Sequence, residues 1–385
     1  MKNRVSQKFV ELYGEGATLY TSPGRINLIG EHTDYNGGFV FPGAVDKGIV
    51  AAIRLNGTDK VRAFALDLNE SAEFGLNEQD KPAQSWACYI FGVCREIIKR
   101  GGVIGGFDTV FAGDVPLGAG MSSSATLEST FAFALNQLYN LGIEKFELAR
   151  IGQSTEHNYC GVKCGIMDQF ASAMGRQNQA IFLDCKDLSF KYVPLNLTGY
   201  KIVIGNTKKK RSLADSKYNE RRAQCEEALE QLKIAYPEAE CLRDITVEQF
   251  EDSKMLIQDE ICRMRAEHVV YECDRVLNSV KALNDGDLMA FGRMMTASHI
   301  SLRDLYEVTG LNLDVMVEES LKIDGCIGSR MTGAGFGGCT VSIVEESAVD
   351  EFISTVGKNY TERTGIVPEF YISEAGNGGR EITAE

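Results

Sequence analysis

Between residues 107 and 138 a strand, a glycine-rich loop and a long helix follow one another without a break, and this run limits the possible folds more than any other stretch. Residues 107–111, Phe-Asp-Thr-Val-Phe, have the short, aromatic and β-branched character of a buried strand. Leu127, Phe131, Leu135 and Leu138 recur at helical spacing and mark the apolar face of a helix beginning near Ser122. Between them stands Gly113-Asp114-Val115-Pro116-Leu117-Gly118-Ala119-Gly120-Met121-Ser122-Ser123-Ser124. A glycine loop that enters a helix presents free backbone N–H groups and the positive end of the helix dipole, which suits an anion such as phosphate. The serines can cap the helix and offer a hydroxyl to a metal ion. No Gly-Lys-Ser/Thr follows, so this is not a Walker A loop. An N-capped helix behind a flexible turn accounts for the same residues.

The rest of the chain sorts into two textures. Residues 48–55 and 60–67 read as strands joined by an Asn56-Gly57 turn. Trp86, Ile90, Val93 and Ile97 mark a helix that Gly101-Gly102 stops. Residues 179–185 and 200–207 read as further strands. Beyond them, residues 213–234 and 258–323 are helical in pattern, with dense charge and few glycines. A strand at 339–344 follows a glycine cluster, and a helix and a final strand at 369–373 close the chain. A boundary near residue 195, around Pro194 and Asn196, divides an α/β domain (1–195) from a helix-rich α+β domain (196–385). The cleft between them is the expected place for an active site.

Composition narrows the function classes. The 385 residues are 44% hydrophobic and 24% charged, enough to bury a sizeable core. The net charge of −14 argues against a nucleic-acid partner, which needs a basic footprint. A nucleotide is still allowed, because a metal ion and one or two basic residues supply local positive potential. The 11 cysteines are odd in number, and no pair is spaced CxxC, so neither a zinc ribbon nor a thioredoxin motif is supported. Cys160 and Cys164, the closest pair near a motif, read as small buried thiols, and a reducing cytoplasm fits best. The opening MKNRVSQKFVELYGEG has no long apolar core, so no signal peptide and no membrane partner is expected.

Three further segments carry chemistry. In residues 22–38, Arg25, Glu31, His32, Thr33 and Asp34 crowd between glycines. Such a stretch can turn several donors and acceptors onto one small polar ligand such as a sugar, although a capped surface loop with incidental charges reads equally well. Glu156 and Asp168 flank residues 158–165. Asp168 is set between Met167 and Phe170, where a buried carboxylate needs a partner; a structural salt bridge would serve that need. Thr332-Gly333-Ala334-Gly335-Phe336-Gly337-Gly338 fits GxGxxG superficially, but the glycines precede a strand, so a Rossmann reading fails. Either close approach to a ligand or a tight hairpin-like turn explains them.

In this order and spacing, the segments at 24–35, 116–125 and 332–338 resemble the GHMP small-molecule kinases and, within them, the galactokinases. The likeness continues through 86–92, 156–170, 217–225 (KYNERRAQC), 265–272 (RAEHVVYE) and 291–308, and so covers essentially the whole chain. It implies an N-terminal α/β domain and a C-terminal α+β domain with the site between them. It further implies ATP and galactose as substrates, Mg²⁺ as cofactor, and a monomer. Asp168 matches the family's catalytic aspartate and Arg25 the arginine that stabilises the transition state. Glu31, His32, Thr33, Asp34, Gly165 and Tyr218 match sugar contacts. Gly118, Ala119, Gly120, Met121, Ser122, Ser123 and Ser124 match the phosphate loop. Ser124 and Glu156 match the metal ligands, and Trp86 an aromatic residue near the adenine. Asp168 would take the proton of the anomeric hydroxyl or merely orient that hydroxyl. Two alternatives remain at this stage. One is a kinase for a related sugar such as N-acetylgalactosamine, galacturonate or arabinose. The other is a sensor that binds galactose and ATP without catalysis, against which the intact Arg25, Asp168, Ser124 and Glu156 argue.

Overall fold

The structure is a computed structural model and describes residues 1–115, 121–209 and 214–383. Helix α1 (Lys2–Tyr13) precedes strands β1 (Thr18–Asn27), β2 (Phe39–Val40), β3 (Pro42–Leu55), β4 (Lys60–Ala65) and β5 (Glu70–Gly75). Helix α2 (Ser85–Lys99), strand β6 (Phe107–Gly113) and helices α3 (Ser123–Leu138), α4 (Lys145–Thr155) and α5 (Met167–Met174) follow. Strands β7 (Gln179–Asp184), β8 (Phe190–Pro194) and β9 (Tyr200–Asn206) lead into α6 (Ala214–Leu232), α7 (Val247–Ser253), α8 (Glu260–Asn284), α9 (Leu288–Ser301) and α10 (Leu311–Ser320). The chain closes with β10 (Cys326–Thr332), β11 (Cys339–Glu345), α11 (Val349–Thr364), β12 (Glu369–Ser373) and β13 (Arg380–Ile382).

Among the described residues the strands form three sheets, ordered β13-β1-β3-β6-β4-β5, β10-β11-β9-β12 and β2-β7-β8. Alternation puts Val61, Ala63 and Ala65 of β4 on the same face as Ala51 and Ile53 of β3. There they pack under Ile90, Phe131 and Leu135 of the covering helices. Val5 and Phe9 of α1 cover the opposite face, against Leu19, Val50 and Val110. The mix of helices and strands agrees with the fold class read from the sequence, and residue 195 lies between β8 and β9. The last strand, β13, returns to pair with β1, Leu19 opposite Ile382.

One local expectation is corrected. The Asn56-Gly57 turn does not make β3 and β4 hairpin partners, because β6 lies between them, antiparallel to β3 and parallel to β4. Asn56 anchors the turn to that inserted strand: its backbone N–H donates to Gly106 and its side-chain amide to Asp108. The glycines after Thr332 join two strands, since β10 pairs antiparallel with β11 directly across them. The connection is a six-residue loop, and it also turns the Gly333 N–H toward Glu31, so a strand-to-strand link and a close approach to the site are compatible.

Candidate active site

Helix α3 packs on β1, and α5 packs on both α3 and α4. The end of β1, the start of α3, the end of α4 and the start of α5 therefore converge. β1 carries a register shift between Pro23 and Arg25, the kind of irregularity that re-aims a side chain. Gly24 is required there, because an added Cβ would lie 2.9 Å from the Met121 carbonyl oxygen. Arg25, buried, then donates from Nε and Nη2 to the two carboxylate oxygens of Asp168, at 2.6 and 2.5 Å. Such a fork-on-fork pair fixes direction as well as distance. Ser122 adds a third donor, its hydroxyl to Asp168 Oδ2. Ser122 also adopts a left-handed backbone, φ 51°, an uncommon conformation for a residue with a side chain and one that clusters at functional sites.

Glu156 ends α4 and opens a single π-turn, Glu156–Cys160, a distortion often found at functional positions. Its carboxyl is pushed up by burial. The Ser124 hydroxyl, hydrogen-bonded to it, opposes that shift, and the charge of Asp168 adds to it. Ser124 and Glu156 are thus brought together as expected. A hydroxyl and a carboxylate offer oxygen donors of the kind that Mg²⁺ prefers. Gly118, Ala119 and Gly120 lie outside the described residues. Met121 is fully buried and Ser123 begins α3.

The polar loop after β1 is braced from both halves of the chain. Gly30, in a left-handed conformation, donates its N–H to Glu272 at 2.9 Å. His268 Nε2 reaches the Glu31 carbonyl at 3.1 Å. The Glu31 carboxylate receives Asn27 Nδ2 (2.9 Å), the Gly333 N–H (2.7 Å) and Arg330 Nη1 (3.4 Å). Thr33 donates its hydroxyl to the Gly30 and Phe39 carbonyls. Glu31 and Thr33 therefore direct polar atoms into the framework of the loop, while His32 and Asp34 share theirs between the loop and the space beside it. Asp34 lines a cleft of about 320 Å³ together with Gly165, Cys164 and Lys163. Burial, and next the charge of Asp168, push its carboxyl up to about 6. His32 is held neutral, pushed down to about 3 by burial and by His268. Its Nδ1 pairs with the Tyr35 hydroxyl at 2.8 Å, and its Nε2 has no hydrogen-bond partner among the described residues. The rings of His32 and Tyr218 lie 5.7 Å apart, and burial together with Asp34 raises the Tyr218 hydroxyl well above its ordinary value.

Trp86 stands apart from this cluster. Its indole N–H donates to Glu70 at 2.9 Å and its ring packs edge-on to Phe111 in the core under α2. Several site residues escape a reading by motif. Glu128, one turn after Ser124 on α3, is fully buried, and burial with the nearby Glu156 pushes its carboxyl well above the usual range. Gln169, next to Asp168, donates to Glu128 at 3.1 Å and reaches Glu156 at 3.4 Å. The one-turn spacing of Ser124 and Glu128 is a signal the sequence carries. The bracing by Arg330, His268 and Glu272 has no local signature.

Comparison with known proteins identifies the family. Residues 7–55 match the galactokinase galactose-binding signature, residues 88–176 the N-terminal domain of GHMP kinases and residues 279–362 their C-terminal domain. The chain is 47% identical to a galactokinase of Clostridium acetobutylicum over 385 residues, covering 99% of each. It superimposes on Lactococcus lactis galactokinase complexed with galactose with a TM-score of 0.93 and 41% identity, covering 98% of both chains. The mevalonate kinase of Methanococcus jannaschii shares the fold, with a TM-score of 0.65 at 20% identity, over 94% of this chain and 99% of that one.

Proposed function

Because the chain belongs to the galactokinases, within the GHMP kinases, we propose that Asp168 and Arg25 carry the family's reaction here: transfer of the ATP γ-phosphoryl group to the anomeric hydroxyl of galactose. The carrying observation is the Asp168 carboxylate, gripped by Arg25 and accepting the Ser122 hydroxyl. That third donor marks a place where Asp168 takes a hydroxyl hydrogen bond. A sugar hydroxyl seated there hands its proton to Asp168 as its oxygen attacks the γ-phosphorus and ADP leaves. Phosphoryl transfer asks the protein chiefly for positioning and charge stabilisation. Arg25 supplies both: it aims the carboxylate and brings a positive charge to the place where negative charge is shared. The anomeric hydroxyl is the most acidic on the sugar, since the ring oxygen withdraws electrons, so a carboxylate suffices as base. A coupled assay should show ADP and galactose 1-phosphate formed one to one. ATP consumption without sugar phosphate would overturn the assignment.

His32, Asp34, Gly165 and Tyr218 form the sugar side of this reading, with Glu31 and Thr33 shaping the loop that carries the first two. Gly165 gives a sharp test, because an added Cβ would overlap Asp34 Oδ2. Gly165→Ala should raise the galactose KM by about tenfold or more by displacing that carboxylate, while the ATP KM stays near wild type. Equal effects on both would remove Gly165 from the sugar side.

Ser124 and Glu156 would hold Mg²⁺, an assignment supported by their mutual contact and by the orphaned oxygen of the neighbouring Glu128. When bound, the ion would neutralise charge on the phosphates. The phosphate loop, Gly118 to Ser124, would receive those phosphates at the N-terminus of α3. Trp86 would lie behind the adenine. As the only indole, it should change its emission on titration with ADP and change less with galactose. A flat ADP titration, with binding confirmed by calorimetry, would leave Trp86 a core residue only. The 11 cysteines, all free thiols, support a cytoplasmic setting. Among the described residues no helix is long and apolar enough to cross a membrane.

A further inference from the structure

Glu128 has no evident reason to be a carboxylate in the fold alone. It is fully buried in the middle of α3, and among the described residues no Lys, Arg or His forms an ion pair with it. Oε2 accepts Gln169 Nε2 at 3.1 Å, and Oε1 has no hydrogen-bond partner among the described residues. A buried carboxylate in that state is expensive, and a purely structural position would be filled as well by an amide or an apolar side chain. Its surroundings supply the missing purpose. Glu128 follows Ser124 by one helical turn and so shares its face of α3. The same Gln169 nitrogen that it holds also reaches Glu156 Oε1 at 3.4 Å, so one amide bridges the two carboxylates. On the facing helix α4 a glycine, Gly152, makes room for the pair: an added Cβ would lie 2.8 Å from Gln169 Cγ and 3.2 Å from Glu128 Oε2.

Resting on the reading of Ser124 and Glu156 as metal ligands, we propose that Glu128 and Gln169 are positioning residues of the metal site. Gln169, held by Glu128, fixes the Glu156 carboxylate, and the unpartnered Glu128 oxygen accepts from the water shell of the ion. Neither residue touches substrate in this scheme. Partners of this kind, behind the ligands, typically contribute about 10–100-fold to metal affinity.

The test measures Mn²⁺ binding to the enzyme–ADP complex by loss of the free-ion electron paramagnetic resonance signal. Glu156→Gln is the control. Glu128→Gln and Gln169→Met, both volume-conserving, should each weaken Mn²⁺ by about tenfold or more. Combined, they should weaken it little further, because they act through one contact. Galactose affinity measured without metal should not move. The melting temperature of Glu128→Gln should hold or rise, since a buried unpaired carboxylate is removed. If Glu156→Gln weakens Mn²⁺ while Glu128→Gln and Gln169→Met bind it like wild type, the inference is overturned and the metal reading survives. If Glu156→Gln itself leaves Mn²⁺ affinity unchanged, the metal reading falls and the inference with it. Should Glu128→Gln fail to fold, Gln169→Met alone decides, and wild-type affinity in that variant overturns the proposal.

Discussion

Asp168→Asn should abolish phosphorylation of galactose while the chain folds and binds both substrates. The asparagine keeps the size of the side chain and one carbonyl oxygen for Arg25 and Ser122, so the packing between β1, α3 and α5 survives. What it removes is the ability to take a proton. General base catalysis contributes about 10²–10⁴-fold, so the residual rate should lie at or below about one hundredth of wild type. Asp168→Ala should be as slow and also less stable. The Asp168 side chain is 28% exposed and that of Arg25 only 6%, so truncation withdraws the carboxylate from a cation already out of water. Loss of one partner from such a buried pair costs about 3–5 kcal/mol in fully enclosed cases and less here. The measurement is single-turnover phosphoryl transfer by each variant, with galactose binding and melting temperature recorded in parallel. An Asn variant that retains more than a tenth of the wild-type rate would show that Asp168 only orients the hydroxyl.

The residues of the reacting centre were legible in part, because the glycine-flanked stretch around Arg25 is crowded with polar groups and the glycine-serine loop at Ser122 runs into a helix. Asp168 drew attention as a carboxylate among apolar neighbours, and for each of the three segments a capped loop, a capped helix or a structural salt bridge accounts for the same residues. Their convergence was not local: Arg25 and Asp168 are 143 residues apart, and only the resemblance of ordered motifs joined them in advance. The support behind the sugar loop was invisible for the same reason. Glu272 meets Gly30 across 242 residues, and Arg330 meets Glu31 across 299. In sequence each of these is one more charge on a helix or strand. β1 was missed because Pro23 and Gly24 break its pattern, although those two residues let the strand bend and aim Arg25. The Asn56-Gly57 turn misled because turn chemistry specifies a reversal of the chain and not which strand fills the space between the arms.

Discrimination among sugars should be as large an effect as loss of the base. Galactose and glucose differ only in the direction of the hydroxyl at carbon four, so the enzyme must read one hydrogen-bond direction. We propose that Asp34 does so. It lines the cleft, it is confined by Gly165, and burial beside Asp168 pushes its carboxyl up to about 6. Next to it the Tyr218 ring packs against those of His32 and Tyr35. A site built in this way rejects a misplaced hydroxyl strongly, because its own buried groups are left unpaired; losses of about 10⁴-fold occur at such sites. Galactose should therefore exceed glucose by about that factor in kcat/KM, and N-acetylgalactosamine, arabinose and galacturonate should also fall below it. Asp34→Asn should narrow the ratio by lowering the value for galactose, not by raising that for glucose, since the amide replaces an acceptor oxygen without creating room. The deciding experiment is kcat/KM for all five sugars, measured under identical conditions with wild type and Asp34→Asn. Another sugar that matches galactose in the wild type would keep the kinase chemistry but remove Asp34 as the group that selects the substrate.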